Sequence, residues 1–190
     1  MKYDLKNCLY GPLENLCLLE ATAAVLCDEV LKSPLALTAE ERAGLVEIKH
    51  DEARHYVLAQ KALRGLRTVD QRHLAEKCGE YREDHLRRWA GPLGMVARLH
   101  EDESLVMRYM HLFEQTIIGI IPEEGTDFVR AVQNDEPRHH AWGRAVLERL
   151  TRDDEQRRKF VNQHRSARGW PAATIMRQFR ELQIQMGLRN

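Results

Sequence analysis

Two five-residue segments of this chain carry the same potential chemistry 84 positions apart. Asp51–His55 reads Asp-Glu-Ala-Arg-His, and Asp135–His139 reads Asp-Glu-Pro-Arg-His. In each segment a Glu precedes a His by three positions, which places both side chains on one face of a helix. Carboxylate oxygen and imidazole nitrogen are ligands that suit iron and manganese. The repeat therefore predicts two halves of one metal site.

The sequence around each segment has the apolar periodicity of a helix with one buried face. Each of these helices follows another periodic stretch that has acidic residues on its own apolar face, namely Glu20 in the first and Glu103 or Glu114 in the third. Burying an unpaired carboxylate costs several kcal/mol, and a pair of bound cations would remove that cost. The alternative is that Arg54 and Arg138 neutralise these carboxylates at the edge of the core.

Glycine, proline and capping residues predict where the helices begin and end. Gly11–Pro12 and Gly91–Pro92 are placed at the starts of the first and third helices. Thr38 and Glu41 form a capping box for the second helix. The remaining boundaries are Ser33–Pro34 at the end of the first helix, a charged crossover or covering helix over 69–89, a turn at 122–125 with Thr126 or Asp127 as the next N-cap, and a last helix over about 171–186. No segment has the period of a strand, so the fold class is all-α.

Distances from the turns predict which acidic residues meet. With the first turn near Leu35, Glu20 and Glu52 are almost equidistant from it and lie at one level. With the second turn centred near Glu124, Glu114 matches Glu136, whereas Glu103 misses its level by roughly 13 Å at 1.5 Å per residue. This geometry favours Glu114 over Glu103 as the acidic partner from the third helix.

Composition excludes several other classes of protein. The 190 residues predict one domain, 1–190, and the 29 basic and 29 acidic residues cancel, so there is no net field to attract nucleic acid or a membrane surface. No apolar run approaches the ~20 residues of a transmembrane helix, and no apolar segment typical of a signal peptide follows Met1. The four cysteines form no Cys-x-x-Cys pair and are expected to be reduced thiols in the cytoplasm.

The repeated motif resembles the ferritin-like di-iron carboxylate superfamily, and its Asp-Glu-x-Arg-His form resembles the oxygen-activating branch. In that branch an acidic residue precedes the motif by about 30 residues, and this arrangement occurs twice in the chain. Glu20 fits, with 30 residues before Asp51, but in the second half this spacing selects Glu103, with 31 residues before Asp135. The resemblance covers about 12–150 and implies an antiparallel four-helix bundle with a crossover helix and a C-terminal helix.

The resemblance also implies a site, a cofactor and an activity. Glu20, Glu52 and His55 would serve one iron, and Glu114, Glu136 and His139 the other, with two Glu residues bridging; Asp51 and Asp135 would accept hydrogen bonds from the ligand histidines, and Arg54 and Arg138 would hold those aspartates. The cofactor is two iron ions, or one manganese and one iron. The implied activity is the oxidation or hydroxylation of a small organic substrate by dioxygen.

This activity needs an external electron donor, and a homodimer is a candidate assembly for the chain. The alternative function is that of an iron-binding or peroxide-detoxifying protein of the ferritin or rubrerythrin type. His111, three residues before Glu114, is a candidate for an additional ligand.

Pro137 is the position at which the two motifs differ. In a helix interior its ring removes a hydrogen bond and disrupts the helix by ~3 kcal/mol. We expect one continuous, kinked helix rather than two short helices, because the apolar stripe runs through from Val129 to Leu150. The distortion is predicted to tune how Glu136 binds metal.

Overall fold

The computed structural model describes residues 4–88, 91–151 and 171–188, together with 153, 155, 156, 158, 159 and 162. All regular structure within these residues is helical, with no strand, which confirms the all-α prediction. The helices are α1 Leu5–Lys32, α2 Ala39–Leu66, α3 Gln71–Arg88, α4 Gly91–Ile120, α5 Pro122–Leu150 and α6 Pro171–Gln185.

The first helix begins earlier than predicted. Asp4 is its N-cap, and the Asp4 carboxylate accepts hydrogen bonds from the backbone N–H groups of Lys6 and Asn7. Pro12 therefore lies inside α1, and the prediction that Gly11–Pro12 opens the helix is wrong. The apolar side chains of Leu9 and Leu13 are fully buried on either side of this point, so packing holds the helix together where one backbone hydrogen bond is lost.

The predicted caps at the loop between α1 and α2 are confirmed. Ser33 is the C-cap of α1, and Thr38 and Glu41 form the reciprocal capping box of α2. Arg149 at the end of α5 reaches the same place, and its guanidinium contacts the Glu41 carboxylate and the Ala36 carbonyl. The N-terminus of α2 is thereby fixed to the C-terminus of α5.

The turn between α4 and α5 is tighter and earlier than predicted. The helix α4 ends at Ile120 and α5 begins at Pro122, so Ile121 alone separates them. Proline is favoured at the first helical position, and Glu123 and Glu124 in the first turn interact well with the helix dipole. The prediction of an N-cap at Thr126 or Asp127 is wrong.

The four long helices close a ring around a common interior. In this ring α1 packs on α2, α2 on α5, α5 on α4, and α4 on α1. Contacts such as Arg149 with Glu41 and Lys61 with Asp127 show that α2 and α5 are antiparallel. The hairpins of α1 with α2 and of α4 with α5 are antiparallel as well, so α2 and α4 point the same way. The chain must therefore run back along the length of the helices between the end of α2 and the start of α4. The helix α3, which the sequence predicted as a crossover or covering helix, makes this connection.

The interior contains two apolar clusters, one on each side of a polar layer. One cluster is built around Leu13, Leu63 and Phe128, and the other around Leu26, Leu45 and Val146. The helix α6 packs on α1 and α4 and places Phe179 against Phe113, with ring centroids 4.4 Å apart. Among the helices that the structure describes, none is long and apolar enough to cross a membrane.

Candidate metal centre

Four predicted ligands from three helices converge in the polar layer. Glu20 comes from α1, Glu52 and His55 from α2, and Glu136 from α5. One potential ligand atom from each lies within 4.8 Å of the other three. All four side chains are buried, with at most 5% of the surface of any of these residues exposed. The i and i+3 spacing of the sequence thus becomes one compact set of oxygen and nitrogen donors.

Both motif histidines are held by the aspartate of the other motif. His55 Nε2 lies 3.0 Å from Asp135 Oδ2, and His139 Nε2 lies 3.4 Å from Asp51 Oδ2. Because a carboxylate is an acceptor, the ring proton of each imidazole is assigned to Nε2, from where it is donated to the aspartate. When the ring is neutral, as a metal ligand must be, Nδ1 then carries the lone pair. No pattern in the sequence predicts that each histidine pairs with the aspartate of the other motif.

The Nδ1 atoms point at carboxylate oxygens. His55 Nδ1 is 3.4 Å from Glu20 Oε2, 3.9 Å from Glu52 Oε2 and 3.7 Å from Glu136 Oε1. His139 Nδ1 is 2.9 Å from Glu52 Oε1 and 3.7 Å from Glu136 Oε2. Within the described part of the chain, the two Nδ1 atoms and Glu52 Oε1 are buried without a hydrogen-bond partner. Lone pairs that face one another in this way repel unless a cation lies between them.

The two arginines of the motifs hold the aspartates. Arg54 Nη2 is 3.1 Å from Asp51 Oδ1 and contacts Asp135 Oδ2 as well. Arg138 Nη2 contacts Asp51 Oδ2 and lies 3.9 Å from Asp135 Oδ1. These guanidinium groups are about half exposed, so they form the outer edge of the site. Their ion pairs are with Asp51, Asp135 and Glu47 and not with the buried glutamates, which leaves the negative charge of the cluster without that compensation.

The electrostatics of the cluster show the same excess of negative charge. Burial raises the pKa of Glu52 well above its usual range, and the nearby carboxylates of Glu136 and Glu20 raise it further. Burial opposes protonation of His55, but Glu20, Glu136 and Asp135 outweigh it and raise the pKa of His55 to about 9. Burial lowers the pKa of His139 to about 4. Without a cation, the cluster therefore binds protons to reduce its charge.

Glu114 lies outside this group. Its side chain is half-buried, and its carboxylate accepts a hydrogen bond of 3.1 Å from Gln133 Nε2. The tight turn at Ile121 changes the register on which its prediction depended. A Cβ added to Gly125 would meet Ile117, and one added to Gly143 would meet His100, so these residues face each other across α4 and α5. Counting along both antiparallel helices from these two pairs places Glu136 opposite Val106 and Met107.

In this register Glu114 lies at a different height along the bundle from the candidate metal centre. Glu114 is about seven residues from the point opposite Glu136, roughly 11 Å at 1.5 Å per residue. Position 103 instead falls opposite His139 and His140, consistent with the contact between His100 Nδ1 and the His140 carbonyl. The turn on which the argument for Glu114 depended is therefore misplaced, and the observed register favours position 103. The side chains of Glu103 and His111 lie outside the described residues.

Comparison of the chain with protein-family models, with curated protein sequences and with solved structures found no match. The assignment of a function therefore depends on the geometry of the site.

Proposed function

We propose that this chain is a di-metal carboxylate protein with a ferritin-like four-helix bundle, which uses two iron ions, or one manganese and one iron, to oxidise a small organic substrate with dioxygen. One observation carries the proposal. Two imidazoles whose Nε2 atoms are held by aspartates direct their Nδ1 lone pairs at buried carboxylates. A set of carboxylate and imidazole donors without thiolates is suited to iron or manganese.

The geometry supports Glu52 and Glu136 as the bridging ligands. Each carboxylate has one oxygen near His55 Nδ1 and the other near His139 Nδ1, at distances between 2.9 and 3.9 Å. Each can therefore bind one ion with either oxygen. Glu20 lies near His55 and would complete the first ion's ligands. The ion at His139 would take a further carboxylate from α4, for which the helix register favours Glu103 over Glu114.

The surrounding residues would control the chemistry of the ions. An iron pair held by these carboxylates and histidines would supply the redox chemistry by which dioxygen oxidises a substrate. The two apolar clusters exclude water on either side of the polar layer. Asp51 and Asp135 fix the tautomer and orientation of the ligand histidines, and such partners strengthen metal binding. An external electron donor would restore the reduced ions between turnovers.

Metal content tests the site. Purified protein should bind about two ions per chain, the number expected of a ferritin-like di-iron site. The double variant Glu52→Ala/Glu136→Ala should lose most of this metal, because both bridging carboxylates are gone. The matched control is Glu40→Ala/Glu148→Ala, which removes one exposed glutamate from each of the same two helices. Full metal loading of the first variant would refute the site.

Oxygen consumption then separates an oxidase or oxygenase from the alternatives. In the presence of a reductant, we expect the iron-loaded protein to consume dioxygen in proportion to the amount of organic substrate that is oxidised. A ferritin-like protein would instead consume dioxygen in proportion to added ferrous iron and retain the ferric product. A rubrerythrin-like protein would consume hydrogen peroxide faster than dioxygen. Either of the last two results would contradict the proposed activity while leaving the metal site intact.

A further inference from the structure

A phenol and a thiol are in contact at the residue that directly follows the proposed ligand His55. Tyr56 Oη and Cys78 Sγ lie 3.9 Å apart, a hydrogen-bonding distance for sulfur. Tyr56 directly follows His55 and is one turn after Glu52, so its side chain leaves α2 beside the metal-binding face. Neither side chain is needed to hold the ions. The pair is therefore available for another role.

The hydrogen bonds of Tyr56 favour exchange of a hydrogen with Cys78. Gln60 Nε2 donates a hydrogen bond of 2.8 Å to Tyr56 Oη, which occupies one lone pair of the phenol oxygen. The remaining lone pair and the phenolic hydrogen can face the Cys78 sulfur. Burial raises the pKa of the Cys78 thiol, so the sulfur keeps its hydrogen at neutral pH. Both partners thus have a hydrogen atom to give.

Cys78 lies at the outer end of this contact. It is half-buried on the crossover helix α3, which packs on α1. Its neighbour Lys77 fixes this part of α3 to α1, since Lys77 Nζ is 2.5 Å from a carboxylate oxygen of the buried Glu14. The pair therefore connects the residue after a proposed metal ligand with a thiol near the surface, through elements that are held in place.

We propose that Tyr56 and Cys78 form a hydrogen-atom relay that carries oxidising equivalents from the metal centre to the surface when dioxygen is consumed without substrate. This inference rests on the proposed function. Tyr56 loses one electron to the oxidised centre and its phenolic proton to water, which leaves a phenoxyl radical. The Cys78 S–H bond then breaks, the Tyr56 O–H bond reforms, and a thiyl radical remains on Cys78.

An external reductant completes the balance. A soluble thiol or ascorbate gives one electron to the Cys78 sulfur, and a proton from water restores the S–H bond. The net result is the transfer of one electron from the reductant to the metal centre. The relay would protect the ligands from oxidation in the absence of substrate.

Two substitutions interrupt the relay at different points and preserve packing. Tyr56→Phe keeps the aromatic ring but removes the O–H group. Cys78→Ser keeps a hydrogen-bonding partner for Tyr56, but its alcohol O–H bond is too strong to give a hydrogen atom to a phenoxyl radical. Cys8→Ser is the matched control, because Cys8 is another half-buried cysteine, located on α1.

The test uses the full chain loaded anaerobically with ferrous iron and then mixed with dioxygen and a nitrone spin trap, without substrate. Mass spectrometry locates trap adducts, and electron paramagnetic resonance of trap-free samples follows the phenoxyl radical. In the wild-type protein we expect an adduct on Cys78, and in Tyr56→Phe its loss to the level of unoxidised protein. In Cys78→Ser the phenoxyl radical should persist several-fold longer, while Cys8→Ser should match the wild type. Equal Cys78 labelling in Tyr56→Phe, or an unchanged phenoxyl lifetime in Cys78→Ser, would overturn the relay.

Iron content and oxygen uptake of the same samples separate this inference from the proposed function. If iron is bound and dioxygen consumed but Cys78 is not labelled, the relay alone is wrong. If no iron is bound, the proposed function is wrong. A further experiment on the metal-free protein then tests whether a hydrogen atom passes between Tyr56 and Cys78. In that experiment a photoexcited ruthenium complex serves as the one-electron oxidant. Labelling of Cys78 that does not depend on the Tyr56 hydroxyl would then rule out hydrogen transfer between them.

Discussion

At the scale of single residues, Glu52 and Glu136 have equivalent places in the two motifs and equivalent places in the site. Each has one carboxylate oxygen near each Nδ1 atom of the two motif histidines. The histidines in turn are oriented by Asp135 and Asp51, each from the opposite motif. A substitution in one motif should therefore disturb the ligand histidine of the other.

The acidic residue from α4 can be identified by substitution. The helix register places position 103 opposite His139, whereas Glu114 is occupied by a hydrogen bond from Gln133. We therefore expect Glu103→Ala to lower the metal content to about one ion per chain, because one half of the proposed two-ion site would be lost. Glu114→Ala should stay near the wild type. Quantification of iron in purified protein measures both, and the reverse result would restore Glu114 as the ligand.

At the scale of the helix, α5 is continuous from Pro122 to Leu150 and contains Pro137. The alternative of two short helices that meet near Asn134 is therefore wrong. Pro137 has no N–H to donate to the Gln133 carbonyl, which weakens the helix one residue after Glu136. A kink at this point stays a prediction, and its proposed role is to adjust the position of the Glu136 carboxylate.

Replacement of Pro137 tests this role. Pro137→Ala restores a backbone donor and should straighten the helix, so the rate of dioxygen uptake per bound iron should change. Metal content should stay near two ions per chain, as in an intact site of this type, because the ligands themselves are retained. Stopped-flow oxygen consumption at equal iron loading is the measurement. An unchanged rate would show that Pro137 has no part in the reactivity of the site.

The close approach of α4 and α5 depends on the absence of a side chain at Gly143. A Cβ on Gly143 would lie 2.8 Å from His100 Cβ and 3.2 Å from its Cα, so the backbones would have to separate. Gly143→Ala should therefore destabilise the fold by about 1–3 kcal/mol, as overpacking does, and should lower metal binding. Gly79→Ala is the control. A Cβ on Gly79, in α3, would meet nothing within 4 Å, and alanine there should stabilise by about 0.5–1 kcal/mol.

Urea unfolding of both variants measures these free energies. Because the two substitutions are chemically identical and both lie in helices, the difference between them reports the packing of α5 on α4. Equal stability of the Gly143→Ala variant and the wild type would contradict the close approach of these helices.

At the scale of the whole molecule, the site is a charged layer between two apolar clusters. Burial and the nearby carboxylates of Glu136 and Glu20 raise the pKa of Glu52, so the metal-free fold carries a cost that bound cations would remove. This arrangement gives metal binding a large effect on stability. Free metal at a hundred times its dissociation constant would stabilise the fold by about 2.7 kcal/mol.

Glu52→Gln separates the stability of the metal-free protein from metal binding. Glutamine is neutral without binding a proton, whereas the buried Glu52 carboxylate loses its charge only by protonation. The amide can also donate a hydrogen bond to His139 Nδ1, which lies 2.9 Å from the present carboxylate oxygen. We expect the metal-free variant to be more stable than the metal-free wild type by about 1 kcal/mol. With ferrous iron present, the order should reverse. Anaerobic unfolding with and without iron measures both, with the exposed Glu40→Gln as control, and a less stable metal-free variant would contradict the excess of negative charge.

The features that depend on short separations along the chain could be predicted from the amino-acid sequence. The Glu and His of each motif share a helix face because they are three residues apart, and the capping box at Thr38 and Glu41 forms within one turn. A separate helix over 69–89 follows from the density of charged and helix-forming residues in that segment. These features were predictable because they need no knowledge of which helices are neighbours.

The pairings between helices could not be predicted from the sequence, because they depend on how the helices pack. Which aspartate faces which histidine depends on the packing of α2 against α5, and no local pattern encodes it. The level of α4 depends on the turn at Ile121, three residues before the centre that the sequence predicted at Glu124. A shift in the centre of a hairpin changes the register of the facing helix by twice that amount. The small error in the turn was therefore enough to move the predicted level from position 103 toward Glu114.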